Sequence, residues 1–240
     1  MKSVGIIGGL GPETTANFYL EVLLRCQSRN RTQRPSIIIG SVPLPFGIER
    51  DLIARNTGIE RYVPFLQQEA KRLEKSGADF LVMPCNSLHV FIDEIRRAVS
   101  IPVLSIVEET IGYLTANTIG QVGLISTSAT IENKVYESRL AQNGIAFALP
   151  SSEQRARINA VIQRLVEGAH LVSDRKFIIA IAEQLAQTGV SHVALACTDL
   201  QLLNPESKKV VIFDTMKVLA DSTAAYILGE PSRAIAQAQI

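Results

Sequence analysis

The chain has 240 residues, of which 47% are hydrophobic and 20% charged, and its formal net charge is +1. This length and composition suffice for one large folded domain or two small ones. The near-zero charge, without a long basic run, disfavours a nucleic-acid partner and favours a small solute. The first apolar run is too short for a signal peptide or a membrane span, so we expect a soluble, cytoplasmic protein without membrane contact.

Short β-branched runs alternate with helical patterns along the chain. Most of the runs are continuously apolar, which is typical of strands that are covered on both faces of a parallel sheet. Eight strands are predicted, at 3–8, 36–42, 78–83, 102–106, 121–126, 145–148, 192–196 and 210–213. A representative helix is predicted over 62–76, with a stop at Gly77. The alternation predicts an α/β fold with parallel sheets.

The chain repeats its own plan in three segment pairs that occur in the same order. KSGADFLVMPCNSL pairs with QTGVSHVALACTDL, VGIIGG with VGLIST, and IPVLSI with VVIFDT. Such self-similarity predicts two α/β halves with a common architecture. We expect the last helix, at 216–228, to cross back onto the first half. The predicted domains are therefore 1–107 plus 216–240, and 108–215, with the boundary near Glu108.

Cys85 and Cys197 occupy matching positions of this repeat, each after a strand and before small polar residues. Ligands of parallel sheets bind outside the carboxyl ends of the strands, so the two thiols are expected to approach one molecule from opposite sides. A nearby helix N-terminus is expected to bring a thiol pKa from about 8.5 towards neutrality. One thiolate could then remove a proton from carbon while the other thiol protonates the opposite face.

Such a reaction needs donors that stabilise the negative charge developing on the substrate carboxylate. The sequence places polar residues and a glycine-rich loop (8–15) at the same sheet ends, where side chains and backbone N–H groups could bind a carboxylate. These candidates are Asn86, Ser87, Thr127, Thr130 and Thr198, with Gly11 and Thr14 in the loop.

Neither the third cysteine nor the histidines form a pattern that indicates a metal site. Cys26 lies in the helical run 17–27 and is interpreted as structural, and no CxxC pair or histidine cluster is present. GIIGGLG fits neither a dinucleotide-binding GxGxxG nor a phosphate-binding loop, so no cofactor is predicted. His89 follows Cys85 by four residues and is interpreted either as tuning that thiol or as bonding to the backbone.

The motifs GIIGGLGPETT, MPCNSLH, VGLISTSAT and ACTDL, in this order, resemble the aspartate/glutamate racemase family that works without pyridoxal phosphate. The resemblance covers essentially the whole chain and is greatest to the aspartate racemase branch. It implies two Rossmann-like domains related by pseudo-two-fold symmetry, with the active site in the cleft between them, and a homodimer. It also implies that Cys85 and Cys197 are the two bases, and that Asn86, Ser87 and Thr127 hold the carboxylate of an amino acid substrate.

Two positions bear on the substrate. Asp199 stands where the family usually has glutamate, so a role in tuning Cys197 or in positioning the substrate ammonium is open to change. Arg50, in the segment 42–51, is the candidate for binding a side-chain carboxylate, and no lysine partner is identified.

The leading interpretation is a racemase that interconverts L- and D-aspartate. The alternatives that stay open are a broad-specificity amino acid or glutamate racemase, a maleate isomerase-like enzyme of small dicarboxylic acids with a cysteine nucleophile, and a non-catalytic amino acid sensor. A pyridoxal phosphate enzyme would need a Schiff-base lysine, and no lysine stands out for that role.

Overall fold

The structure, a computed structural model, describes residues 1–55 and 57–230. The part of the predicted first domain at 231–240 therefore lies outside the described residues. The strands are β1 (Val4–Gly8), β2 (Ile37–Ser41), β3 (Phe80–Val82), β4 (Val103–Leu104), β5 (Gln121–Ser126), β6 (Ala146–Ala148), β7 (His192–Ala196) and β8 (Val211–Asp214). The α-helices are α1 (Pro12–Arg29), α2 (Phe46–Arg55), α3 (Val63–Lys75), α4 (Ile92–Arg96), α5 (Ile106–Ala116), α6 (Ser128–Glu132), α7 (Glu137–Gln142), α8 (Ser152–Val166), α9 (Val172–Ala186) and α10 (Thr215–Leu228).

The strands form two sheets of four strands each, and every neighbouring pair is parallel. The orders are β2-β1-β3-β4 in the first sheet and β6-β5-β7-β8 in the second, so each strand has a counterpart in the other sheet. The α/β fold class and the repeated topology predicted from the sequence are confirmed. Short 3-10 helices at Ser87–Phe91 and Thr198–Leu203 follow β3 and β7, which are counterparts.

Two glycines show that the repeat extends to side-chain packing. A Cβ added at Gly5 of β1 would meet Leu73 of α3 at 3.1 Å, and one at Gly123 of β5 would meet Leu185 of α9 at 3.1 Å. Helix and strand thus approach closely at equivalent places in both halves, and a glycine makes the approach possible in each.

The eight predicted strands are present, with some ends trimmed. The largest changes are at β3 and β4, each three residues shorter than predicted, and β4 keeps only Val103 and Leu104. Pro102 has no N–H for the ladder, and the Ser105 side chain accepts a hydrogen bond from the Glu108 N–H, so this residue begins α5 instead of extending the strand.

α10 returns to the first sheet. The Lys2 N–H donates to the Ile227 carbonyl at 2.9 Å, and the rings of Phe80 and Tyr226 lie 4.5 Å apart. One buried apolar cluster contains residues of both sheets, from Val4 to Phe213. The domain boundaries themselves stay a prediction. No helix within residues 1–55 and 57–230 has both the length and the apolar character needed to cross a lipid bilayer.

Candidate active site

Cys85 and Cys197 line one cavity between the two halves. Cys197 directly follows β7, and Cys85 lies in the turn after β3, where its N–H donates to the Met83 carbonyl at 2.9 Å. Both are free thiols, and the cavity has a volume of about 110 Å³. A cavity of this size has room for several water-sized groups, which suits one small metabolite.

A larger cavity, of about 780 Å³, lies beside α5, α10 and β8. Neither Cys85 nor Cys197 lines it. We place the candidate active site in the smaller cavity, because Cys85 and Cys197 both line it.

The first motif continues with Asn86, which is buried. Its side-chain N–H donates to Thr215 Oγ1 at 3.1 Å, and its carbonyl oxygen accepts a hydrogen bond from the Tyr136 hydroxyl. Thr215 in turn donates to the Leu195 carbonyl at 3.0 Å. Asn86 therefore fixes the turn that carries Cys85 to the second sheet, and its role as a carboxylate ligand stays a prediction.

Ser87, Thr127 and Thr130 bring three hydroxyl groups together. Ser87 Oγ lies 2.9 Å from Thr127 Oγ1 and 3.0 Å from Thr130 Oγ1, and the two threonine oxygens lie 3.0 Å apart. Ser87 and Thr127 line the cavity. Because a hydroxyl can rotate to donate or accept, this triangle could turn a donor towards a substrate carboxylate.

The second motif continues with Thr198 and Asp199, and both line the cavity. Asp199 Oδ2 lies 3.8 Å from the Cys197 sulfur, and Asp199 Oδ1 accepts a hydrogen bond of 2.7 Å from Thr14 of α1. Gly11 lies beside Asp199 with a positive φ of 107°, and a Cβ added to it would be 3.1 Å from Asp199 Oδ1. Gly11 lines the cavity as well, whereas Thr14 reaches the site through Asp199.

Burial controls the protonation of both thiols. Burial raises the pKa of Cys85 to about 12. The backbone N–H groups of Leu88 and Ser87 lower this pKa, but by less than burial raises it. Burial and the Asp199 charge raise the pKa of Cys197, and the nearby Cys85 adds to the rise. The expectation that helix N-termini bring the thiols towards neutral pKa values is therefore wrong for this structure, because desolvation is the larger effect.

His89 acts on the backbone that carries Cys85. Its Nε2 accepts a hydrogen bond of 3.1 Å from the Ile106 N–H, so Nδ1 carries the proton and donates to the Cys85 carbonyl at 2.6 Å. Burial lowers the pKa of His89 to about 4. The backbone-bonding interpretation is confirmed, and the imidazole ties the Cys85 turn to the start of α5.

Arg50 is not placed in the cavity wall. It is exposed on α2, whereas its neighbour Glu49 lines the cavity. Glu49 was missed in the sequence, although Leu52, three residues later and also in the wall, marks the inward face of that helix. Most of the apolar wall was also not predicted from the sequence. It includes Leu10, Leu44, Leu52, Ile162 and Val166.

Comparison with known proteins finds a family whose model covers most of this chain. The family model described as Asp/Glu/Hydantoin racemase matches residues 7–223. Over 234 residues the chain is 30% identical to the broad specificity amino-acid racemase RacX of Bacillus subtilis (strain 168), covering 95% of this chain and 100% of that protein.

Solved structures show the same architecture. A candidate Asp/Glu racemase from Yersinia pestis matches with a TM-score of 0.82 and 27% identity, over 95% of this chain and 100% of that one. An aspartate racemase homologue from Pyrococcus horikoshii OT3 matches with a TM-score of 0.77 at 24% identity, with the same coverage of the two chains, and supports the fold alone.

Proposed function

Because the chain belongs to the Asp/Glu/Hydantoin racemase family, we propose that it is a cofactor-independent amino acid racemase with Cys85 and Cys197 as its two bases. The observation that carries the proposal is that both thiols line one cavity of metabolite size, at the ends of counterpart strands. The relative described as broad specificity supports a range of amino acid substrates.

The chemistry is a proton transfer at the α-carbon. One cysteine, as thiolate, takes the α-proton, and its sulfur becomes a thiol while the electron pair stays on carbon and spreads into the carboxylate. The other cysteine, as thiol, then delivers its proton to the opposite face and becomes a thiolate. The product is the mirror-image amino acid, and in the reverse direction the two thiols exchange roles.

Neighbouring groups supply the stabilisation that this step needs. The hydroxyls of Ser87 and Thr127 are positioned to donate to the carboxylate as its charge grows. Asp199 offers a partner for the substrate ammonium beside Cys197. A bound ammonium also opposes the raised thiol pKa values, because a positive charge favours the thiolate.

The raised thiol pKa values set the direction of the pH dependence. Deprotonation of one cysteine limits the fraction of active enzyme at neutral pH. We therefore expect kcat/KM to increase with pH from about 7 to about 9, until the substrate ammonium begins to lose its proton.

The test is racemisation in D₂O. Single enantiomers of a panel of acidic, basic and neutral amino acids are incubated with the enzyme, and chiral chromatography and mass spectrometry follow inversion and α-deuterium uptake. We expect both signals with the native chain and with Cys26→Ala, whose thiol is buried in α1. Cys85→Ala and Cys197→Ala should lose inversion and keep deuterium uptake with one enantiomer at most.

Two results would overturn the proposal. One is the absence of inversion and exchange across the whole panel. The other is a covalent adduct on Cys85 or Cys197 during turnover, which would indicate a nucleophilic cysteine of the maleate isomerase type. The preference for aspartate expected from the sequence is not part of this proposal, because no lysine, arginine or histidine is among the described residues that line the cavity. The homodimer stays a prediction, which analytical ultracentrifugation tests.

A further inference from the structure

Glu49 is a carboxylate in the cavity wall that the proposed proton transfer does not use. It lies on α2, half-buried, and makes no hydrogen bond or ion pair with any residue that the structure describes. Burial raises its pKa, and the charge of Asp199 raises it further. A carboxylate held in such a place without a partner is stabilised by a cation that comes from outside the chain.

The charge of the cavity wall has one sign. Glu49 and Asp199 are its carboxylates, and among the described side chains that line the cavity there is no lysine, arginine or histidine. Arg50, the neighbour that the sequence offered for an acidic substrate, is exposed. A substrate with a second carboxylate would place like charges together, without the positive partner that such a group requires.

The apolar part of the wall suits a flexible hydrocarbon chain. Leu44 and Leu52 line the cavity near Glu49 in sequence, and Ile162 and Val166 of α8 line it as well. Side chains of basic amino acids combine a run of methylene groups with a terminal cation, and they bury the former against apolar surface while the cation pairs with an acid. The wall offers both features in one cavity.

We propose that Glu49 is a specificity-determining residue that pairs with the cationic side chain of the substrate, so that the enzyme prefers basic amino acids such as lysine and ornithine to aspartate and glutamate. The inference rests on the proposed racemase function. It assigns the two carboxylates different tasks, with Asp199 for the α-ammonium beside Cys197 and Glu49 for the far end of the side chain.

The experiment compares three substrates of graded charge, L-lysine, L-norleucine and L-aspartate, at pH 7.5. Norleucine keeps the length of the lysine side chain without its cation. For the native chain we expect kcat/KM for lysine to exceed that for aspartate by about tenfold or more. Glu49→Gln should lower the lysine value by about tenfold or more and change the norleucine value by less than about threefold.

Glu13→Gln is the matched control. Glu13 lies exposed in the first turn of α1, and its charge reaches Asp199, but it does not line the cavity. The lysine-to-norleucine ratio should stay at its native value in this variant. A native preference for aspartate would overturn the inference. So would an equal loss with all three substrates in Glu49→Gln, because that would place Glu49 at the α-ammonium.

Calorimetry keeps this inference separate from the racemase proposal. If no amino acid in the panel is racemised, the proposed function fails, but lysine and aspartate binding still test the charge preference. Tighter binding of lysine, weakened by about tenfold in Glu49→Gln and unchanged in Glu13→Gln, supports Glu49 as the cation partner. Equal or tighter binding of aspartate by the native chain overturns it.

Discussion

After Cys85 the chain places an amide and a hydroxyl, Asn86 and Ser87, whereas after Cys197 it places a hydroxyl and a carboxylate, Thr198 and Asp199. Both pairs stand at the same point of the repeated topology. The two halves therefore share one topology, but the surroundings of the two thiols differ. The carboxylate lies on the Cys197 side.

The second polar residue of each motif reaches across to the other half. Ser87 contacts Thr127 and Thr130 after β5, and Asp199 accepts from Thr14 after β1, the counterpart of β5. The repeat thus joins the two sides of the cleft by reciprocal bonds. The Ser87 contacts join neutral hydroxyl groups, whereas the Thr14 bond is to a carboxylate. The two sets of bonds therefore differ in strength and in their response to pH.

A further contrast lies one helical turn beyond each cysteine. His89 binds both the Cys85 carbonyl and the Ile106 N–H at the start of α5. At the corresponding place, Gln201 donates to the sulfur of Met216 at the start of α10. A titratable group therefore clamps the first motif and a neutral amide contacts the second.

The largest expected effect comes from breaking the thiol pair one member at a time. Cys85→Ser and Cys197→Ser should each lower racemisation by about 100- to 10,000-fold, since one acid or base is lost. Each variant should still exchange the α-proton of one enantiomer with D₂O, and the two variants should differ in which enantiomer that is. ¹H NMR of L- and D-substrates measures this. Exchange of the same enantiomer by both variants would contradict opposed faces.

The second largest expected effect is on the free energy of unfolding at acidic pH, because His89 can be protonated and Gln201 cannot. The His89 pKa is lowered from 6.5 to about 4, so its protonation favours the unfolded chain. The contribution is fully present above pH 6.5 and is lost as the pH falls towards 4. It corresponds to about 3 kcal/mol of unfolding free energy. His89→Gln, which copies Gln201, should remove this dependence.

Urea unfolding at pH 7, 5.5 and 4.5 measures the difference between His89→Gln and the native chain. The comparison is needed because Glu108 and Arg96, whose charges also act on His89, contribute to the native profile. His170→Gln is the control, since His170 is exposed. If the native chain and His89→Gln lost equal stability on acidification, His89 would not be the group whose protonation lowers the stability.

The sequence predicted the positions of the strands and the thiols because these depend on local patterns. Apolar runs mark the strands, and a cysteine after each of two counterpart runs must lie at the same edge of its sheet. The repeat also predicted the common topology, since it follows from element order and not from side-chain detail.

Features that depend on distant partners could not be predicted in this way. The choice between Glu49 and Arg50 turns on helix phase, because adjacent residues project about 100° apart. The thiol pKa values depend on burial by both halves, which no short motif encodes. The bonds of Asn86 to Tyr136 and Thr215 join residues that are far apart in the chain.

Asp199→Asn removes the negative charge that distinguishes the surroundings of Cys197 from those of Cys85, and its effect on activity should be smaller. It keeps an oxygen for Thr14 and removes the carboxylate that raises the Cys197 pKa. In a Cys26→Ala/Cys85→Ala background, iodoacetamide should then alkylate Cys197 at lower pH than it does with Asp199 present. With all cysteines intact, we expect racemisation to fall by about tenfold, or about 1.4 kcal/mol, because a partner for the substrate ammonium is lost. An alkylation profile that moved to higher pH would contradict the assigned role.

The smallest expected effect concerns the neutral bond across the cleft. Ser87→Ala removes the contacts with Thr127 and Thr130 and leaves the two threonines bonded to each other, so the free energy of unfolding should fall by about 1 kcal/mol. Urea titration at pH 7 measures it. Ser28→Ala is the control, because the exposed Ser28 hydroxyl donates to the Arg25 carbonyl within α1 and, among the described residues, makes no bond to the other half. If both variants lost equal stability, the hydroxyl triangle would contribute nothing to holding the halves together, and the Asp199–Thr14 bond would carry the coupling from the other side.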